Sequence, residues 1–161
     1  MKIFRFLCIA IVGLVGTSPG RRAGEEKVAI DKLPRPVVAA VKNRFPKAEL
    51  KAASKETEDG KVEYEVAIVD AGTKIDVQLT PDGAISAIEK QIPVASLPEA
   101  VRAALDKAYG KGSYQKAEEI IKVQGGKESL DCYEVVVEKA DKKKIEVQIE
   151  SDGKVRKEEK Q

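Results

Sequence analysis

The second half of this 161-residue chain repeats the first half, and this repeat limits the possible folds more than any other feature. Short motifs return in the same order, with their apolar and polar positions preserved. The matched pairs are Leu33-Pro34 with Leu97-Pro98, Lys47-Ala48-Glu49 with Lys116-Ala117-Glu118, Tyr64-Glu65-Val66 with Tyr133-Glu134-Val135, Lys74-Ile75 with Lys144-Ile145, Asp82-Gly83 with Asp152-Gly153, and Glu89-Lys90-Gln91 with Glu159-Lys160-Gln161. We therefore interpret the chain as two copies of one supersecondary unit. A lone core is marginal in so short a copy, so we expect the copies to pack together or to share a sheet.

Each copy begins with a predicted amphipathic helix. The first helix starts at Leu33-Pro34, because proline lacks the N–H group that has no intrahelical partner in a first turn. Apolar residues then recur with helical spacing until Pro46 ends the helix. The second helix starts in the same way at Leu97-Pro98 and ends at Gly110.

Four strands are predicted after each helix. Apolar and polar residues alternate with a period of two, which is typical of strands that have one buried face and one polar face. Turn sequences such as Asp82-Gly83 and Gly125-Gly126 separate the strands and supply the positive φ angles that tight hairpins require. The predicted strands span residues 48–57, 61–70, 73–80 and 84–90, and then 114–124, 129–139, 143–150 and 154–160.

These elements predict an α+β fold built from two tandem units, each a helix followed by a four-stranded antiparallel sheet, with the helices on one sheet face. The two units either form separate sheets or join into one continuous eight-stranded sheet. The other sheet face is expected to be polar and open, and we predict that it is a binding face. Its predicted members are Glu65, Asp76, Gln78, Glu134, Glu146 and Gln148.

The N-terminus has the pattern of a secretory signal peptide at residues 1–20. A basic start is followed by an apolar run and then by small and helix-breaking residues, and the run is short for a membrane span. An uncleaved N-terminal anchor is the alternative. The remaining boundaries are a polar lead-in at 21–32, the first repeat at 33–91 and the second at 92–161. Export implies a periplasmic or secreted protein with no membrane association after signal removal.

The charge balance argues against a nucleic-acid partner. The full chain has a formal net charge of +2, but residues 1–23 contain four basic residues and no acidic residue, so the remainder is slightly acidic. Nucleic-acid binding requires a concentrated positive field. We therefore expect no nucleic-acid partner. The duplicated unit and the missing catalytic chemistry instead favour a protein or a peptide of unknown identity as the partner.

The sequence contains no histidine, which removes the common neutral-pH general base and histidine-ligated zinc. Cys132 is the only cysteine left after signal removal, so no internal disulfide can form, and we interpret it as a small buried strand residue. No glycine-rich phosphate loop is present in a strand-to-helix context.

Carboxylates are the remaining candidates for catalysis or metal binding. Glu63 with Glu65, or Glu146 with Glu150, could form a carboxylate pair, but alternating acids are typical of the polar side of a sheet. Each Asp-Gly dipeptide lacks the further ligands of a calcium loop, so turn chemistry accounts for it. We predict no catalytic residue, no cofactor and no metal site.

The motif Leu-Pro-x-x-Val, followed by Tyr-Glu-Val and by Ile-x-Val before Asp-Gly, occurs in both copies. It resembles the PepSY-like family, also described as putative beta-lactamase-inhibitor-like, over residues 30–91 and 94–161. The resemblance implies a helix-plus-four-strand unit that is exported and that acts by protein binding. Inhibitors of this architecture grip an enzyme with a concave sheet of tandem units. This chain has no Trp and few aromatic residues, so no inhibitory residue is transferred to it.

The leading functional prediction is an exported, non-enzymatic module that binds a protein or peptide, with inhibition of a hydrolase as one form of that activity. One alternative is a small-ligand carrier or a carboxylate-based enzyme, which requires a deep pocket with convergent acids. Another alternative is an envelope structural protein, which a flat and wholly charged sheet face would favour.

Overall fold

The computed structural model describes residues 25–58, 60–110, 113–139 and 141–160; the predicted signal peptide at 1–20 lies outside these residues. The elements in chain order are β1 (Glu25–Lys27), α1 (Arg35–Arg44), β2 (Glu49–Glu58), β3 (Lys61–Asp70), β4 (Thr73–Leu79), β5 (Ile85–Ile92), α2 (Glu99–Tyr109), β6 (Ser113–Gln124), β7 (Lys127–Glu138), β8 (Lys144–Ile149) and β9 (Val155–Lys160). Short 3₁₀ turns at Ile30–Lys32 and Val94–Ser96 precede the two helices. No helix in the described part of the chain is both long and apolar enough to cross a bilayer.

The nine strands of the described residues form one antiparallel sheet in which spatial order follows chain order from β1 to β9. The predicted α+β class is confirmed. The two halves share one sheet, and this sheet has nine described strands where eight were predicted. The additional strand is β1, which pairs with β2 inside the predicted polar lead-in at 21–32. Its three residues are all charged, so hydrophobic periodicity could not indicate it.

Both helices start immediately after a Leu-Pro pair. Pro34 and Pro98 precede the helices, and their carbonyl oxygens accept hydrogen bonds from the first helical turn at 3.2 Å and 3.0 Å. α2 ends at Gly110, whose φ of 73° and ψ of −176° belong to a region that glycine adopts far more readily than other residues. The proline and glycine signals in the sequence therefore set the helix boundaries to within about two residues.

The helices pack against the same face of the sheet. α1 contributes Val37 and Val41 to one buried cluster and α2 contributes Val101 and Leu105 to a second. Ile88 of the first cluster lies opposite Ile121, and Ile92 beside the second cluster lies opposite Ala117. Because directly opposed residues share a sheet face, the two clusters line one side of one sheet. The other side is hereafter the helix-free face.

Two turn glycines allow the sheet to lie close to the helices. Gly83 follows β4 and Gly153 follows β8, and both have a strongly positive φ. A Cβ atom at Gly83 would lie 2.6 Å from the carbonyl oxygen of Pro36, and a Cβ atom at Gly153 would lie 2.7 Å from that of Ala100. Only glycine permits both the conformation and this approach. The two Asp-Gly dipeptides therefore act as packing contacts as well as turns.

The hairpin of β6 and β7 connects the two halves of the molecule. Arg44 at the end of α1 donates two hydrogen bonds to the Glu128 carboxylate, at 2.7 Å and 3.0 Å. This bond lowers the pKa of Glu128 and raises the pKa of Arg44. Ile121 and Val123 of β6 also pack against the first cluster. The second half therefore contributes side chains to the core beneath α1.

Candidate binding face

The six predicted face residues all lie on the helix-free face. Glu65 is directly opposite Gln78, and Glu134 is directly opposite Gln148. Asp76 lies opposite Glu89 of β5, outside the predicted set. The register thus brings the predicted residues together in two groups. The first group is Glu65, Asp76 and Gln78 on β3 and β4, and the second is Glu134, Glu146 and Gln148 on β7 and β8.

The prediction that this face is open is wrong for most of these side chains. Glu65 and Asp76 are each 8% exposed, Gln78 is 7% exposed, and Glu134 and Glu146 are also buried. Only Gln148 is half-buried. Opposed side chains on neighbouring strands stand about 4.5–5.5 Å apart, so long polar side chains in the middle of a wide sheet shield one another from water. Alternation along one strand cannot indicate this shielding, because it contains no information about how many strands lie on either side.

Two carboxylates at the centre of the face were not among the residues predicted from the sequence. Glu89 of β5 is fully buried, and Glu118 of β6 is almost fully buried. Both belong to motifs that recur in the two halves, and this recurrence is the sequence feature that could have identified them. They flank the β5–β6 pairing, where Gln91 lies opposite Glu118 and Glu89 lies opposite Ile120. The face is therefore continuous across the junction of the two halves.

Amide and ammonium groups bind several of the buried carboxylates. Gln78 Nε2 donates to Glu89 at 2.9 Å, and Gln148 Nε2 donates to Glu134 at 3.0 Å. Lys116 Nζ lies 2.7 Å from Glu118 Oε1. Such bonds offset the cost of removing a carboxylate from water. Amide and ammonium donors therefore stabilise part of the acidic row on this face.

Two carboxyl groups on the first half of the face have raised pKa values. Burial raises the pKa of Glu65 well above its ordinary value, and the charges of Glu89 and Asp76 raise it further. Burial also raises the pKa of Asp76 to about 6, with a further contribution from Glu118, while Lys116 opposes both shifts. A low-dielectric environment disfavours the ionised form of each group.

The shift at Asp76 predicts a pH-dependent contribution to stability. A carboxyl whose pKa is higher in the folded state stabilises the fold below its unfolded pKa of about 4, and that contribution is lost as pH rises through about 6. Relative to the wild type, Asp76→Asn should therefore gain about 2–3 kcal/mol in unfolding free energy between about pH 4 and pH 7.5. Urea unfolding at the two pH values measures this difference. Parallel pH profiles for the two proteins would contradict it.

Cys132 lies in a small apolar patch on the helix-free face with Ala87 and Ile120. Its thiol is buried, and burial, followed by the charge of Asp131, raises its pKa to about 12. The thiolate is the reactive form, so the folded protein should resist thiol reagents at about pH 8. A colorimetric disulfide reagent should modify Cys132 at least about a hundredfold faster in denaturant than in buffer. Comparable rates would show that the strand opens readily.

The described residues contain no group of three or more His, Cys, Asp or Glu side chains arranged to hold a metal ion. An open hollow beside α2 is lined by apolar and charged side chains that include Val94, Arg102 and Tyr114. Tyr114 shares its sheet face with the second core cluster, so this hollow lies on the helix side, away from the buried carboxylates. The two features do not form one site.

Comparisons with known proteins give a family and several solved structures. The model of the family described as "Putative beta-lactamase-inhibitor-like, PepSY-like" matches residues 22–86 and 63–157. A structure named as a putative periplasmic protein from Bacteroides eggerthii is 18% identical, with a TM-score of 0.63 over 79% of this chain and 88% of that one. A BLIP-like protein from Bacteroides fragilis is 19% identical, with a TM-score of 0.57 over 78% and 84%.

A DUF2874 family protein from Bacteroides ovatus is 16% identical, with a TM-score of 0.60 over 81% of this chain and 89% of that one. At these identities, the likeness shows a shared fold. No curated protein matches the chain.

Proposed function

The chain belongs to the PepSY-like family, and from this premise we propose that it is an exported, non-enzymatic module that binds a protein or peptide on its helix-free face. The observation that carries the proposal is the continuity of this face. β5 pairs with β6 from Ala87 opposite Lys122 to Ile92 opposite Ala117, so strands of both halves contribute to one surface. Both helices pack on the other side, which leaves this surface to a partner.

The tandem arrangement is part of the proposal. We propose that residues 33–91 and 92–161 descend from one helix-plus-four-strand unit. Equivalent glycines, Gly83 and Gly153, make the same close approach to the second residue of the respective helix, Pro36 or Ala100. Equivalent glutamines, Gln78 and Gln148, each donate to a buried glutamate. The matched glycine contacts support a surface composed of two similar halves, whereas the two glutamines donate to glutamates at non-equivalent positions.

Sequence and family support the proposed location and the proposed class of partner. The signal-like segment at 1–20 supports export to the periplasm or beyond the cell, and a structural neighbour from Bacteroides eggerthii is named as periplasmic. The absence of histidine from the chain favours a non-enzymatic role. A hydrolase is one partner that fits, because the family is described as beta-lactamase-inhibitor-like.

Site-specific photocrosslinking tests the use of the helix-free face. The photoreactive residue p-benzoylphenylalanine is placed at Gln91, which is half-buried beside the junction, and in a matched control at exposed Lys107 of α2. Each protein is expressed with its signal in the source organism and irradiated. We expect a discrete adduct from position 91 that is absent at position 107. Adducts at both positions or only at 107 would contradict the use of this face, and no adduct at either would contradict the binding function.

A further inference from the structure

β9 is the counterpart of β5 in the second half. It pairs with β8 in the register in which β5 pairs with β4, and both pairings have a bulge at the same place. In this register Glu158 takes the position of Ile88. Lys157 likewise takes the position of Ala87. The outer neighbours of the two strands differ, because β5 also pairs with β6, whereas β9 is the last strand of the sheet that the described residues form.

Charged residues on β9 replace the residues that β6 covers on β5. Ile88 is 2% exposed and lies opposite Ile121 of β6, and Ala87 is completely buried. On β9, Glu158 is exposed and Lys157 is half-buried. An unpaired and apolar strand edge is a template on which another chain can pair. The second half therefore differs from the first at the positions where an apolar edge would attract a further strand.

The charges continue along the rest of β9. Every residue of the strand after Val155 is charged, in the order Arg156, Lys157, Glu158, Glu159 and Lys160. Arg156 is held within its own sheet, because it donates to Glu150 at 3.0 Å and to Asp131 at 2.8 Å. No residue from 156 to 160 therefore offers an apolar side chain to a neighbouring strand.

A second copy could lengthen the sheet by pairing its own β9 with this edge. Two copies related by a twofold axis perpendicular to the sheet have antiparallel edge strands, and opposed residues then share a sheet face. The axis passes between the two copies of one residue, which lies opposite itself. Because each residue from Arg156 to Lys160 is charged, every register centred within 156–160 places two like charges directly opposite each other, which is destabilising.

Other arrangements of two copies gain little. The register centred on Glu158 also places Lys157 opposite Glu159 of the second copy, but these two residues already form an ion pair within one strand, at 2.5 Å. A contact centred on Val155, the first residue of β9, would pair the strand with the β8–β9 turn. Pairing with β1 of a second copy is limited to the three residues of that strand, which are all charged.

We propose that the charged run at 156–160 keeps the protein monomeric, because it prevents β9 from pairing with β9 of a second copy. Terminal units of repeat proteins need a polar outer surface for the same reason, since each unit otherwise offers an interface to a further unit. This inference does not depend on what the helix-free face binds.

Sedimentation equilibrium of two variants tests the proposal. Lys157→Ala/Glu158→Ile gives β9 the side chains that β5 has at these positions, and Lys157→Gln/Glu158→Gln removes the same charges without adding apolar area. We expect the wild type to remain monomeric up to about 1 mM. The apolar variant should dimerise with a Kd of about 100 µM or lower, and the glutamine variant with a Kd below about 1 mM. These affinities are weak because six-residue strands bury a small area.

Hydrogen exchange of the backbone amides locates the contact. The amides of 156–160 should gain protection in the dimer of each variant, because an added strand accepts hydrogen bonds from them. The matched control is Lys107→Ala/Glu99→Ile, which makes the same exchange of side chains at exposed positions of α2. This control should remain monomeric.

A wild type that dimerises through β9 would overturn the proposal, as would two folded variants that both remain monomeric at about 1 mM. Dimerisation of the apolar variant alone would overturn the role of charge. Equal association of the α2 control would also overturn it, because added apolar area would then be sufficient. Thermal unfolding shows whether each variant is folded, and the glutamine variant decides the outcome if the apolar variant does not fold.

Discussion

Replacing Gly153 with alanine should lower the free energy of unfolding by about 3 kcal/mol, and Gly83→Ala should have a similar effect. Two costs combine at each position. An alanine with a φ near +88° is strained, and its methyl group would lie 2.7 Å from the carbonyl oxygen of Ala100 in α2. Backbone atoms cannot move aside as a flexible side chain can, so α2 must shift away from the sheet. Urea unfolding measures the loss.

Gly72 provides the matched control for the turn-glycine prediction. It has a similar φ of +83°, but a Cβ atom there would meet nothing within 4 Å. Gly72→Ala should therefore cost only the conformational strain, about 1 kcal/mol. Equal losses for Gly72→Ala and Gly153→Ala would show that the contact between turn and helix does not contribute to stability.

Truncating Leu105 to alanine is expected to destabilise the fold by about 2–5 kcal/mol. Leu105 is completely buried between α2 and the sheet, and its removal leaves a cavity in the second core cluster. Because β5 pairs with β6 and Ile121 packs beneath α1, the loss should lower the midpoint of one shared transition. Urea unfolding followed by far-ultraviolet circular dichroism measures both the midpoint and the number of transitions.

Leu130→Ala is the control for the core prediction. Leu130 is 47% exposed on the β7 side of the long hairpin, so its truncation should change the unfolding free energy by less than about 1 kcal/mol. If Leu105→Ala unfolds in two separate transitions and the later one has the midpoint of the wild type, the sheet is not a single cooperative unit. A similar loss in both variants would contradict the assignment of Leu105 to the core.

Most of the fold could be predicted because the helical and strand periodicities of the apolar residues agree with the positions of the helix-bounding residues and the turn dipeptides. Prolines and Gly110 bound the helices, and apolar alternation places the strands between Asp-Gly and Gly-Gly turns. The long strands β3 and β7 lie where alternation predicts them. The apolar pattern of β2 is irregular because the strand has a bulge between Leu50 and Ala52.

What the sequence could not predict depends on neighbours across the sheet. β1 contains only charged residues and is held by its pairing with β2, which no local pattern indicates. The face residues share one side as predicted, yet their burial depends on how many strands flank each one. Glu89 and Glu118 became part of the face only through the β5–β6 pairing, which joins residues about thirty positions apart.

We propose that both halves of the chain build one binding face on the side of the sheet away from the helices. Lysine footprinting of the captured complex tests it, with acetylation read by mass spectrometry. Lys74 and Lys144 are exposed on the helix-free face, one in each half, and Lys42 and Lys107 are exposed on the two helices. We expect the partner to protect Lys74 and Lys144 and to leave the helix lysines reactive. Protection of Lys42 or Lys107 instead, or of lysines in only one half, would contradict the claim.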